Sequence, residues 1–274
     1  SSAASDVYKR QVITDGVGFR SFDKLPEGKY TYSATYKGTD KISRATDNGT
    51  FEIKSVEYNV ILNAPDVKMI YHDGTRFIAT LTDKQGNPIR DAAIEITING
   101  KTYTKTTDEK GVVSLGLSLD SGIYTVTVNF KGLLNYTPIT RQAKVTIEPT
   151  VKGLDVVKMF RNDTQYYAIF TDSQGNPLKN KDVQFNINGV FYTKTTNDKG
   201  IAMMGINLNP GKYVITAINL VTGEQSGNNI TVKSLIVQND LTKYYLNASR
   251  FQTTIYNKDG SLAANKDCLL YTSD

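Results

Sequence analysis

The chain has 274 residues, 32 Lys and Arg against 27 Asp and Glu, a formal charge of +5, one Cys and one His. With a single thiol and a single imidazole there is no material for a disulfide framework or a Cys/His zinc site, and the lone His72 beside a turn is no basis for a catalytic triad. Charges of both signs are interleaved and no apolar run reaches ~18 residues, so neither a nucleic-acid surface nor a membrane helix is expected.

In chain order, residues 1–11, "SSAASDVYKRQ", read as translated sequencing-adapter sequence of the kind carried by assembled metagenomic reading frames, and are set aside. Residues 12–54 then carry "LPEGKY" at 25–30, a phrase that returns as "LDSGIY" at 119–124 and "LNPGKY" at 208–213. Aligning outward from it exposes an internal repeat. "TDKQGNPIRDAAIEITINGKTYTKTTDEKG" at 82–111 matches "TDSQGNPLKNKDVQFNINGVFYTKTTNDKG" at 171–200, an offset of 89 residues. The parsing is the second half of one copy at 12–54, complete copies at 55–149 and 150–233, and the start of another at 234–267. Resemblance ends at 268–274, "CLLYTSD", a second adapter-like segment that holds the only thiol, Cys268.

Within a copy the apolar period is two. Phe77, Ala79 and Leu81 alternate with polar neighbours, as do Ile94, Ile96 and Ile98, and Tyr124, Val126, Val128 and Phe130. This is the pattern of half-buried antiparallel strands. In the second copy it predicts strands over 66–71, 76–82, 92–98, 101–107, 112–118, 123–130 and 143–148, with linkers near 54–66 and 148–156. Gly86 and Gly175 sit in "QGNP" turns, Gly100 and Gly189 in Asn-Gly hairpins, and Gly111 and Gly200 at the next corner, where a positive φ suits glycine. Seven short strands in under a hundred residues predict an all-β fold of tandem immunoglobulin-like β-sandwiches. In that fold Leu, a Gly-containing turn and Tyr spell a tyrosine corner, with Tyr30, Tyr124 and Tyr213 covering a core edge while the hydroxyl bonds nearby backbone.

"DVVKMFRNDTQYYAIFTDSQGNPL", "VQFNINGVFYTKTTNDKG", "INLNPGKYVITAINLVTGEQSGNNITV" and "TINGKTYTKTTDEKG" closely resemble the immunoglobulin-like repeats of adhesin-like surface proteins of methanogenic archaea, and more distantly bacterial invasin-type domains. The resemblance covers nearly all of residues 12–267 and implies a stalk on a cell surface, extracellular and non-enzymatic, that displays a binding domain lying elsewhere in the protein. Some surface domains of this kind carry a Lys–Asn isopeptide bond between first and last strands. Lys68, Lys158 and Lys243 recur in the first strand, and Asn228 or Asn229 would serve Lys158, although Ala143 and Lys144 stand at the aligned positions of the second copy.

Other chemistry is sparse. Calcium needs clustered oxygens, whereas Asp83, Asp172, Asp108, Asp198, Asp66 and Asp155 are scattered in turns and linkers, so no metal or other cofactor is expected. Five Asn-x-Ser/Thr sequons, at Asn48, Asn135, Asn162, Asn229 and Asn247, are compatible with surface glycosylation. The loop before the last strand varies most between copies, and Leu133, Leu134 and Tyr136 are its apolar candidates for contacting a partner. The expected partner is a cell-surface, glycan or protein ligand bound mainly through regions outside this chain, and the expected form is a monomeric rod. Two alternatives from other classes stand beside the stalk: spacer repeats of a secreted or surface enzyme, and glycan-binding modules.

Overall fold

The computed structural model describes residues 25–54 and 56–271. The adapter-like segment 1–11 and the upstream part of the first copy lie outside them. The described residues form twenty β-strands and no helix, in two compact units.

The first unit runs up to Asn59 and includes residues 132–137. Strands β1 (Gly28–Tyr36) and β2 (Ala45–Ile53) make a hairpin paired without interruption from Gly28↔Ile53 to Tyr36↔Ala45. Tyr58 joins residues 132–137 in the same unit. Its N–H donates to the Asn135 carbonyl at 2.8 Å, its carbonyl accepts the Thr137 N–H at 3.0 Å, and its ring packs on Tyr136 with centroids 5.9 Å apart.

The second unit holds two complete sandwiches and the start of a third. In the first of these, β3 (Val60–Asn63), β5 (Arg76–Asp83) and β8 (Val112–Gly116) form one sheet. The other consists of β4 (Val67–Ile70), β10 (Ile139–Glu148), β9 (Gly122–Phe130), β6 (Ala93–Ile98) and β7 (Lys101–Thr106), in that order. The next sandwich repeats the plan. Its sheets are β11 (Val151–Gly153), β13 (Gln165–Phe170) and β16 (Ile201–Gly205), and β12 (Val156–Met159), β18 (Gln225–Lys233), β17 (Gly211–Ile218), β14 (Asp182–Ile187) and β15 (Val190–Thr195). Strands β19 (Ile236–Gln238) and β20 (Thr253–Ile255) begin the following copy.

These are tandem immunoglobulin-like β-sandwiches, built as the alternation of apolar residues dictates. The residues that β5, β6 and β9 turn inward, Phe77, Leu81, Ile94, Ile96, Val126, Val128 and Phe130, are all 0% exposed. Each such side chain contributes about 1.5–3 kcal/mol by leaving water. The structure adds one strand per sandwich to the seven expected. The stretches 54–66 and 148–156, read as linkers, contain β3 and β11, because the first strand is split. Its first part pairs antiparallel with β5 or β13, and its second part crosses to the other sheet and pairs parallel with β10 or β18.

The two cores differ by a matched set. Where the first has Ala64, Phe77 and Ala143, the second has Gly153, Tyr166 and Asn228. Tyr166 is 0% exposed and its hydroxyl donates to Asn228 Oδ1 at 2.7 Å. Burial, with Asp155 nearby, pushes the phenol up to about 12. A Cβ on Gly153 would collide with both polar atoms and lie 2.9 Å from Tyr166 Cζ. Glycine is therefore the space that lets the hydroxyl reach its acceptor.

Gly200→Ala adds a clash with the Phe170 carbonyl to the strain of φ +74°, whereas Gly189→Ala has the strain of φ +79° with open space around it. We expect Gly189→Ala to cost about 1–2 kcal/mol and Gly200→Ala about 1–3 kcal/mol more, read by amide exchange in β13 and β16; equal losses would show that the corner does not approach the strand. Likewise Gly153→Ala alone should cost about 2 kcal/mol or more, while the triple change Gly153→Ala, Tyr166→Phe, Asn228→Ala should return to within about 1 kcal/mol of the parent. Additive losses in denaturant melts would contradict that coupling.

Candidate functional site

Tyr30, Tyr124 and Tyr213 stand two residues into β1, β9 and β17, half-buried. Their hydroxyls donate to the carbonyls four residues back, Pro26 at 2.7 Å, Asp120 at 2.8 Å and Asn209 at 2.9 Å. Gly28, Gly122 and Gly211 lie beneath the rings, where an added Cβ would come within 3.6, 3.6 and 3.2 Å of the tyrosine. The recurring phrase thus ties the turn before the strand to the strand itself. Burial, with Asp120 adding to it, raises the Tyr124 phenol above its ordinary value.

The turn glycines all adopt positive φ: +88° and +83° at Gly86 and Gly175, +72° and +79° at Gly100 and Gly189, +70° and +74° at Gly111 and Gly200. Asn99 and Asn188 precede two of them with φ of 48° and 52°, which makes those hairpin turns left-handed at both central residues and matches the twist of the strands. At Gly111 and Gly200 the backbone also touches β5 and β13. The Gly111 carbonyl accepts the Leu81 N–H and the Gly200 carbonyl the Phe170 N–H, both at 2.8 Å.

The acids weighed for calcium have other partners. Asp83 Oδ1 accepts the N–H groups of Gln85 and Asn87, and Asp172 Oδ1 those of Gln174 and Asn176. The Asn87 side-chain amide, ahead of those N–H groups, holds the Asp83 carboxyl below its usual range against desolvation, and at Asp172 desolvation is outweighed by the Asn176 amide together with the N–H groups. Asp108 Oδ1 caps the N–H groups of Lys110 and Val112, a task Asn197 performs equally well in the next copy for Lys199 and Ile201. A position that takes either residue uses the oxygen rather than the charge. Asp198 accepts the Asn180 amide at 3.5 Å. Among the described residues no group of three or more His, Cys, Asp and Glu gathers as a metal site. His72 stacks on Tyr71 with centroids 4.0 Å apart and has a φ of 58°, the turn conformation that Arg161 takes in the next copy.

The Lys158–Asn228/Asn229 crosslink geometry is not formed. Lys158 pairs at the level of Val232, three and four residues from Asn229 and Asn228 along β18, or roughly 10 Å and more at strand rise. Its amine is buried, at 3% exposure, and donates to the carbonyls of Asn162 at 2.7 Å, Ile206 at 2.8 Å and Thr164 at 3.1 Å. Burial lowers its pKa while Asp163 works against that shift. Asn229 is held by Asp155, which accepts its N–H at 2.8 Å and its side-chain amide at 3.1 Å, and Asn228 accepts from Tyr166. The recurrence of lysine in the first strand is also out of register. Lys68 is the exposed second residue of β4, matching Val157, while Lys158 takes the buried place of Met69.

Of the loop candidates, Leu134 is 93% exposed with φ +54°, Leu133 is 36% exposed, and Tyr136 is half-buried against Tyr58. The corresponding loop of the next sandwich, residues 219–224, turns Asn219 and Glu224 inward and leaves Leu220 and Val221 exposed, at 50% and 57%. Thr150 is 1%, Asn219 0% and Glu224 4% exposed, a buried polar group at the start of β11 that sequence reasoning missed. Its only signal was the acid in "TGEQ", inside the stretch that varies most.

No family model matches the chain. It is 25% identical over 232 residues to the inverse autotransporter adhesin YeeJ of Escherichia coli strain K12, which covers 78% of this chain and 9% of the relative, so the chain spans less than a tenth of that protein's length. Among solved structures, one of a 1.5-MDa bacterial ice-binding adhesin aligns over 76% of this chain and 74% of its own, at 14% identity and a TM-score of 0.31. A tandem of titin immunoglobulin domains aligns over 64% of this chain and 97% of its own, at 9% identity and a TM-score of 0.26. The chain is thus distantly similar in sequence to a bacterial adhesin, and its repeats are adhesin-like.

Proposed function

We propose that this chain is a segment of the stalk of an extracellular, cell-surface adhesin-like protein, with no catalytic role, whose repeats hold a binding domain away from the envelope. The observation that carries this reading is serial closure. Each complete sandwich buries its own core, and the chain leaves one at Glu148, the end of β10, to enter the next at Val151, the start of β11. Such an arrangement gains length with every copy. The distant likeness to an adhesin supports the same reading. The resemblance of the repeat wording to methanogen surface proteins is the ground for proposing an archaeal envelope, and the ligand, whether glycan or protein, belongs to the displayed domain.

Antibodies raised against residues 60–233 test the proposal on intact cells that carry the gene. We expect label on unbroken cells, and loss of that label after brief external protease treatment. Label that appears only after lysis would overturn the surface assignment, and a hydrolase domain in the same reading frame would move these repeats to the spacer of an enzyme.

A further inference from the structure

The chain passes from one complete sandwich to the next with almost no slack. On the near side the Glu148 carbonyl accepts the Tyr71 N–H at 2.9 Å, which fastens the end of β10 to the turn after β4. On the far side the Thr150 carbonyl accepts the Thr171 N–H at 2.9 Å, which fastens it to the end of β13. Only Pro149 lies between these anchors, and its ring fixes φ. The following junction has the same layout. The Lys233 carbonyl accepts the Phe160 N–H at 2.9 Å, the Leu235 carbonyl accepts the Tyr256 N–H at 2.7 Å, and Ser234 alone separates them.

What sets the first junction apart is the loop between β17 and β18. Glu224 Oε2 accepts both the N–H of Thr150 and its hydroxyl, the latter at 2.6 Å. The same hydroxyl lies 2.8 Å from Thr222 Oγ1 and 3.3 Å from Asn219 Nδ2. Asn219 Nδ2 also donates to the Thr171 carbonyl at 2.9 Å, while its Oδ1 accepts the Val221 N–H at 3.0 Å and so shapes the loop. Across the junction Gly175 faces the preceding sandwich, where an added Cβ would come 3.1 Å from Ile70 Cδ1. Gly260 stands in the same relation to Met159 at 3.9 Å. The Tyr71 phenol is raised above its ordinary value first by burial, then by Asp120 and then by Glu224, which places the Glu224 charge near the preceding sandwich.

We infer that Asn219, Thr222 and Glu224 form a clasp on Thr150, and that with the Gly175 turn seated on Ile70 this end of one sandwich is a docking surface for the far end of the preceding sandwich. The clasp takes up the rotational freedom of the segment next to Pro149, so the two sandwiches turn as one body. A charge at Glu224 suits this role because an ionised acceptor bonds an N–H and an O–H more strongly than a neutral one. Removing it leaves a buried N–H and hydroxyl to find new partners. The inference concerns stiffness and holds whether or not the chain stands on a cell surface.

The full 274-residue chain carrying Cys268→Ser takes nitroxide labels at Thr104→Cys and Thr193→Cys, both on exposed edge strands, and pulsed dipolar spectroscopy reads the distance between them. We expect one narrow distribution. The pair Glu224→Ala with Asn219→Ala should widen it by about twofold or more, as a flexible linker would, while Glu224→Gln, which keeps an acceptor oxygen, should leave it narrow. Amide exchange in β14 and β17 shows whether the alanine pair still folds. A broad distribution in the parent overturns the inference irrespective of any variant, and an unchanged width in a folded alanine pair overturns the role of the clasp. Failure of surface labelling would leave both measurements untouched, so the two readings fail separately.

Discussion

The crossing of the first strand from one sheet to the other is the constraint on which the rest depends. Asp66 in the first complete sandwich and Asp155 in the next sit at the crossing, and their carboxylates accept the N–H of Lys144 at 2.7 Å and of Asn229 at 2.8 Å. Each side chain therefore grips the last strand at the point where the first strand changes layers. The bonds hold the Asp155 carboxyl below its usual range, mainly through the N–H and amide of Asn229. Once the crossing is made, β4 lies parallel to β10 with Val67 beside Val145 and Ile70 beside Glu148, and β12 lies the same way on β18. Both sheets are then fastened to the strand by which the chain leaves the sandwich. The junction is short because both of its ends are anchored: the last residue of β10 is bonded to the turn after β4, and Thr150, two residues on, is bonded to the end of β13.

The tyrosine corners serve that same exit strand. Tyr124 pairs opposite Val145 in the β9–β10 ladder, and Tyr213 opposite Ile230 in β17–β18. Their hydroxyls hold the turns that precede β9 and β17, which lie at the far end of each sandwich, where the chain departs. The loops between β9 and β10 and between β17 and β18 lie at the opposite end, where the chain arrives. A partner-binding role for Asn219, Thr222 or Glu224 therefore competes with the junction for the same side chains, whereas Leu220 and Val221 of that loop stay exposed. Leu133 and Leu134, in the equivalent loop one copy earlier, are exposed apolar side chains as well, Leu134 almost fully.

Much of this was legible because it is local. Strict alternation of apolar residues fixes which face of β5, β6 and β9 is buried, and Asn-Gly followed by a further alternating run has one geometry open to it. The first half of the split strand was not legible. Three or four residues such as Val151–Gly153 carry no period of their own, and their pairing with β13 exists only once the sandwich has closed. Lys158 shows a second limit. Lysine recurs at Lys68, Lys158 and Lys243, yet a shift of one residue in a strand turns the side chain to the other face, so Lys68 meets solvent and Lys158 the interior. The buried group at Thr150 joins residues 69 to 74 apart, through a loop whose wording differs from that of its counterpart one copy earlier, and nothing nearby in sequence marks it.

Neighbouring copies of one fold carry a hazard of their own, since strands of one copy are near-matches for the places of another, and inter-domain misassembly is a characteristic failure of repeat proteins. The matched differences between the two cores bear on this. Were β13 to enter the first complete sandwich in place of β5, the Tyr166 hydroxyl would face Ala64 and Ala143, with a methyl group in its space and no acceptor for its proton. Were β5 to enter the second, Phe77 would leave Asn228 Oδ1 without the donor that it has in Tyr166. Lys158 acts in the same direction, because its three carbonyl partners come from the turn after its own strand and from Ile206 of its own sandwich, and Met69 offers them no donor. A buried polar group that is satisfied only in its own copy costs little when the fold is right and a full desolvation penalty when it is wrong. On this argument the polar set in the second core adds fidelity of assembly to copies whose strands are otherwise nearly interchangeable, and glycine at 153 is the concession in packing that makes the set fit.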